Sequence, residues 1–120
     1  MTSKGNVEFC ESLGCYDQII TYNEAQTLDA SNPIIIVDMA GNFSAMKALH
    51  EYFQDNVKYS CSVGATHQAE QKDFNVGDMN SFPGAKPTFF FAPTQAQKRT
   101  EEWGPGEVQK QIALSLKNFQ

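Results

Sequence analysis

Hydrophobic and polar positions along the chain fall into short apolar runs separated by segments of helical period. The strongest strand signal is the unbroken run Ile34, Ile35, Ile36, Val37, Asp38 and Met39, introduced by Ser31, Asn32 and Pro33. A β-branched run of this kind is what a strand covered on both faces requires. Gly41 and Asn42 break it. After the break, Phe43, Met46, Leu49, His50 and Phe53 recur at helical spacing, with Lys47, Glu51 and Gln54 on the other side, which predicts an amphipathic helix.

Around this central pair the pattern places further elements. Residues 17–22 read as a short strand, and Asn23 followed by Gln26 reads as a capping box opening a short helix through about Ala30. Val57, Tyr59, Cys61 and Val63 alternate with Lys58, Ser60 and Ser62, predicting a strand with one apolar face that stops at Gly64. Residues 65–74 are polar and helix-tolerant, and Gly77, Asn80, Ser81, Pro83 and Gly84 mark a loop. Residues 86–92 form a third apolar strand, residues 97–103 a charged edge strand, and residues 107–119 a C-terminal helix opened near Pro105. Residues 1–15, with Val7, Phe9 and Leu13 as half a helix, read as an N-terminal extension to a domain over residues 16–120. Alternating strands and helices followed by a short strand-to-strand connection give an α/β fold. Its sheet is expected to be central, mixed and five-stranded, flanked by about four helices on both faces.

Composition narrows the function classes. A chain of 120 residues with 41% hydrophobic content suits one core. A net charge of −5 with no basic run argues against nucleic acid or an anionic membrane as partner. The N-terminus lacks a basic segment followed by an apolar stretch, and no run approaches a membrane span, so a cytoplasmic protein is expected. Three cysteines, Cys10, Cys15 and Cys61, do not make a disulfide scaffold. His50 and His67 read as ordinary helix residues, and no zinc spacing joins them to the cysteines. No metal and no cofactor is expected.

Three stretches together carry a family resemblance. "PIIIVDMAG" is an apolar strand ending in Asp and a small turn, "KPTFFF" is a proline followed by Thr and an aromatic strand, and "WGPGEVQKQI" leads through Gly into the last helix. In this order and spacing they resemble a thioredoxin from about Tyr16 onward. The resemblance implies a thioredoxin-like fold, a cis bond at Pro87 and a substrate groove between that proline and the first turn of the central helix. Thioredoxins place Trp-Cys-Gly-Pro-Cys-Lys at that turn. Alignment back from Lys47 seats Phe43 and Met46 at the cysteine positions, with Ser44 and Ala45 between them. Neither side chain supplies a thiolate, so dithiol chemistry is contradicted at this position.

The resemblance therefore implies a redox-inactive protein that binds another protein or a peptide through the former active-site groove, with Asn42, Phe43, Ser44, Met46, Lys86 and Pro87 as its residues. Asp38 takes the place of the family's buried acid and, without thiols, reads as a structural carboxylate held by local polar groups. An alternative class is an oxidoreductase or redox sensor that uses Cys10 and Cys15, with four residues between them, in the extension. A variant borrows from glutathione transferases, with Ser44 at the helix start, but the second helical domain of those enzymes has no counterpart here. A third class is a subunit of a homo-oligomer or larger assembly. Cys61, on an apolar strand face, reads as an inert thiol.

Overall fold

The computed structural model describes residues 1–64 and 76–119. The unbroken apolar run forms strand β1, Ile34–Asp38, and the helical pattern after the Gly41–Asn42 break forms helix α2, Phe43–Phe53. A short helix α1, Val7–Leu13, precedes them and ends on Gly14. Strand β2, Val57–Ser62, follows α2, and the two-residue strand β3 is Thr88–Phe89. Two helices complete the chain: α3, Ala92–Trp103, and α4, Pro105–Phe119. The chain divides into two units, Met1–Phe89 and Phe90–Gln120. The first holds the sheet; the second holds α3 and α4.

Among the described residues the sheet has three strands in the order β1-β2-β3, all parallel. The crossover α2 packs on one face. There Ile36, Phe53 and Val57 form a buried cluster, with Leu28, Ile34, Leu49 and Tyr52 around it. Burying an aromatic or aliphatic side chain of this size stabilises by about 1.5–3 kcal/mol, so this cluster is what holds α2 on the strands. A second cluster, Met46, Met79 and Phe82, continues it along α2, with Phe43 packed against it. The opposite sheet face exposes Ile35, Val37 and Tyr59.

Between the two layers lies the imidazole of His50, 0% exposed. Its Nδ1 is 2.8 Å from the Pro83 carbonyl oxygen and its Nε2 is 2.9 Å from Ser60 Oγ. A carbonyl oxygen only accepts, so Nδ1 carries the hydrogen, Nε2 is the acceptor, and the Ser60 hydroxyl donates to it. Phe82 stacks beside the ring at 5.1 Å between centroids. His50, read from sequence as an ordinary helix residue, is thus a core polar link between α2, β2 and the chain entering β3.

The structure corrects several sequence-based expectations. The mixed five-stranded sheet is a three-stranded parallel one, which is not the sheet of a thioredoxin-like fold. Residues 97–103 lie in α3, where Arg99 pairs with Glu102 and stacks on Trp103; charges three and four residues apart support a helix as well as they blunt an edge. Residues 17–22 join no sheet: only Thr21 forms an isolated bridge, to Thr2, and a 3-10 turn follows at Tyr22–Thr27. Its cap is Thr21 with Glu24, two residues before the expected Asn23 and Gln26. No peptide bond is cis among the described residues, so Pro87 follows a trans bond. The apolar face expected on β2 is also split. One extra residue in β2, Lys58, lies between the partners of Ile34 and Ile35, so Val57 faces α2 while Tyr59 and Cys61 face the other way. The helix expected at residues 65–74, and His67 within it, lie outside the described residues.

The tip of β1 is closed by one glycine. The Asp38 carbonyl accepts from the Val63 and Gly64 amides at 2.9 and 3.1 Å, and a methyl group on Gly64 would overlap the Met39 carbonyl oxygen. Gly64→Ala is therefore expected to destabilise the protein by about 2–3 kcal/mol, read from the shift of a urea unfolding midpoint. The His50 link gives a second expectation. His50→Ala should cost about 3 kcal/mol through the cavity and two orphaned polar partners, and Ser60→Ala about 1–2 kcal/mol. The double variant should fall short of their sum by about 1 kcal/mol in the same assay, and strict additivity would refute the link.

Candidate functional site

The break between β1 and α2 is held by local hydrogen bonds. Asp38 Oδ1 accepts from the Ala40 and Gly41 amides at 3.1 and 2.9 Å. Gly41 sits at φ 73°, a left-handed conformation that glycine adopts without strain. Asn42 caps α2: its side-chain oxygen accepts from the Ala45 amide at 3.0 Å and its carbonyl from the Met46 amide at 3.0 Å. The Asp38 carboxylate thus takes the two amides just ahead of the helix, and the Asn42 side chain takes one in its first turn. The tip is a structural joint.

Beside the tip, along the outer edge of β1, runs a cleft of about 500 Å3. Every residue of β1 lines it. Its inner end reaches Ala45, Met46 and Leu49 of α2, and its outer end is bounded by Ile35, Val37 and Met39. The facing wall is the N-terminal part of the unit: Thr2, Tyr16, Gln18, Ile19 and Tyr22. Ile35 and Val37 are 68% and 53% exposed there. Because β2 is the only strand beside β1 among the described residues, alternate N–H and C=O groups of β1 point into the cleft without a strand partner. The size and the apolar lining with a few polar groups are those of a binding cleft.

The predicted site residues separate on this geometry. Asn42 and Met46 reach the cleft; Met46 is 2% exposed and sits in the core cluster with Met79 and Phe82. Phe43 is half-buried, its ring 5.3 Å from that of Phe82, and Ser44 is exposed; neither lines the cleft. Lys86 is exposed and Pro87 half-buried, both away from the cleft lining. Cys10 is half-buried in α1, Cys15 is exposed beyond Gly14, and Cys61 is buried; all three are free thiols. The Ser60 and His50 pair has hydrogen-bond geometry but no access to a substrate, as both side chains are fully buried. Among the described residues no group of three His, Cys, Asp or Glu side chains is placed to hold a metal ion. Sequence reasoning missed the cleft's other wall. Its one signal was the apolar pair Ile19 and Ile20 beside Tyr16 and Tyr22, which was assigned to a sheet strand.

Hydrogen bonding fixes that wall. The Thr21 backbone N–H and hydroxyl both donate to Glu24 Oε2, at 2.8 and 2.7 Å, and the Tyr52 hydroxyl of α2 shares its proton between the Gln26 and Leu28 carbonyl oxygens. The Thr21 amide, and then its hydroxyl, hold the Glu24 carboxyl below the usual glutamate range. Asp29 is lowered likewise by the Ser31 hydroxyl and amide.

Comparison with known proteins bears on family. The model of a family described as "Protein of unknown function (DUF2855)" matches residues 1–120. No curated protein and no solved structure matches. This overturns the thioredoxin resemblance: its three stretches are real strand and helix signals, but they belong to a different family and a different sheet. Among the described residues no helix is long and apolar enough to cross a membrane.

The lowered Glu24 carboxyl has a defined sign. Because the folded form is the stronger acid, the cap's contribution is fully present above the ordinary glutamate value of about 4.3 and is lost as pH falls through the lower folded value. A carboxyl-carbon NMR titration should place the Glu24 midpoint below the ordinary glutamate value of about 4.3, and Thr21→Val should raise it. Equal midpoints in the two proteins would refute the cap.

Proposed function

The chain belongs to the DUF2855 family of proteins of unknown function, and from its own geometry we propose that it is a non-catalytic binding module that takes an extended peptide segment of another protein along the edge of β1. The observation that supports this most is an apolar edge strand left without the usual protection beside a preformed cleft. Edge strands are normally blunted by lysine, proline, bulges or a covering element, since unpaired backbone groups template further pairing. Among the described residues, Ile34, Ile35, Ile36 and Val37 have no lysine, proline or paired strand on the cleft side, and they line a cleft of about 500 Å3. Strand addition supplies backbone hydrogen bonds for affinity and side-chain contacts for specificity. A cytoplasmic setting belongs to the same reading, supported by an odd cysteine count.

The test uses two fluorescein-labelled peptides with lysine flanks and five-residue cores, one of valine and isoleucine only, the other alternating isoleucine with threonine. Fluorescence polarisation should detect saturable binding of at least one. Binding should weaken about tenfold or more when alternate core amides are N-methylated, and by a similar factor in Val37→Asp. Failure of both peptides to bind, or binding indifferent to N-methylation, would sink the proposal. Val37 is half exposed, so the variant should stay folded, which circular dichroism checks.

A further inference from the structure

We infer that the segment taken along β1 is apolar on both of its faces, a continuous β-branched run, instead of an alternating amphipathic strand; this rests on the strand-binding reading above. Among the described residues β1 has no strand on its cleft side, and an extended backbone supplies donors and acceptors at the spacing of a neighbouring strand. The two sides of the cleft settle its side chains. On the α2 side, a strand beside β1 meets Leu28, Ala45 and Leu49. On the opposite side it meets Ile35, Val37 and Met39, which are exposed by 68%, 53% and 67%. Successive side chains of the incoming strand point alternately to these two sides, and both are apolar. An amphipathic strand would set its polar residues against one of them. A strand apolar at every position covers both, as strands inside parallel sheets do. β1 itself has this composition, with Ile34 and Ile36 toward α2 and Ile35 and Val37 away from it.

The two peptides of the previous experiment decide the point. The valine-isoleucine core should bind about tenfold or more tightly than the isoleucine-threonine core, because the latter can satisfy only one side. The preference should come from the exposed side. In the double variant Ile35→Thr with Val37→Thr, the two peptides should bind within about threefold of each other. Equal affinities for the unmodified protein, or a preference for the alternating core, would overturn this inference while leaving strand binding intact. An undiminished preference in the double variant would also overturn it, by showing that the gain arises away from β1. Failure of both peptides would overturn the binding reading and this inference with it.

Discussion

The imidazole of His50 holds three separate pieces of chain at hydrogen-bond distance: its own helix α2, Ser60 in the middle of β2, and Pro83 at the approach to β3. Each of its ring nitrogens has one partner of the right kind, so its removal from water is offset, and neither Ser60 nor the Pro83 carbonyl is left wanting. Apolar packing around it could slide by a fraction of a turn at little cost; these two bonds could not. They fix the rotation and height of α2 on the sheet. From that follow the positions of Asn42 at the tip, Met46 in the core, and Leu49 and Ala45 at the inner end of the cleft. Backbone contacts at the other end of β2 complete the joint: Ala85 donates to the Val57 carbonyl at 3.0 Å, which brings β3 alongside.

What the sequence made legible was whatever depends on local period. β1, α2 and α4 follow from apolar spacing and from the Gly41–Asn42 break, and all three are where that spacing puts them. Buried polarity was not legible. His50 reads as an ordinary helix residue and Ser60 as part of the polar face of its strand, yet among the described residues both side chains are fully buried, each supplying the other's partner. Register was not legible either, since one extra residue at Lys58 moves Tyr59 to the face opposite Val57. For residues 97–103, charge misled: Lys98, Arg99, Glu101 and Glu102 carry helical pairings as readily as they guard an edge. The candidate site was half visible. Its floor is the β1 run, but its facing wall is an irregular segment held by Thr21, Glu24 and Tyr52, and such a wall has no period to read.

The same limits explain how three family-like stretches pointed to the wrong family. An apolar strand ending in Asp, a proline before an aromatic strand, and a glycine before a final helix are solutions to general problems. The first closes a strand end with a carboxylate on two amides, as Asp38 does for Ala40 and Gly41. The last ends one helix on a glycine at positive φ, as Gly104 does for α3, just before Pro105 opens the next where proline's missing N–H is harmless. Physical necessity produces such motifs in unrelated folds, so their order and spacing carry less information than the pairing of strands.

An unprotected apolar edge is a hazard unless access to it is controlled, and the walls of the cleft provide that control. Residues Tyr16, Gln18, Ile19 and Tyr22 line the same cleft as β1, with Thr2 bridged to Thr21 beside them, so the edge of β1 opens into the cleft. Five residues of β1 span roughly 16 Å at a strand rise of about 3.3 Å per residue, which sets the length of segment that can pair. The wall is itself tied to α2 through the Tyr52 hydroxyl, and α2 is tied to the sheet through His50. The element that restricts access to the edge and the element that supports the sheet are thus held by one helix, so the width of the cleft is set by the same packing that sets the fold.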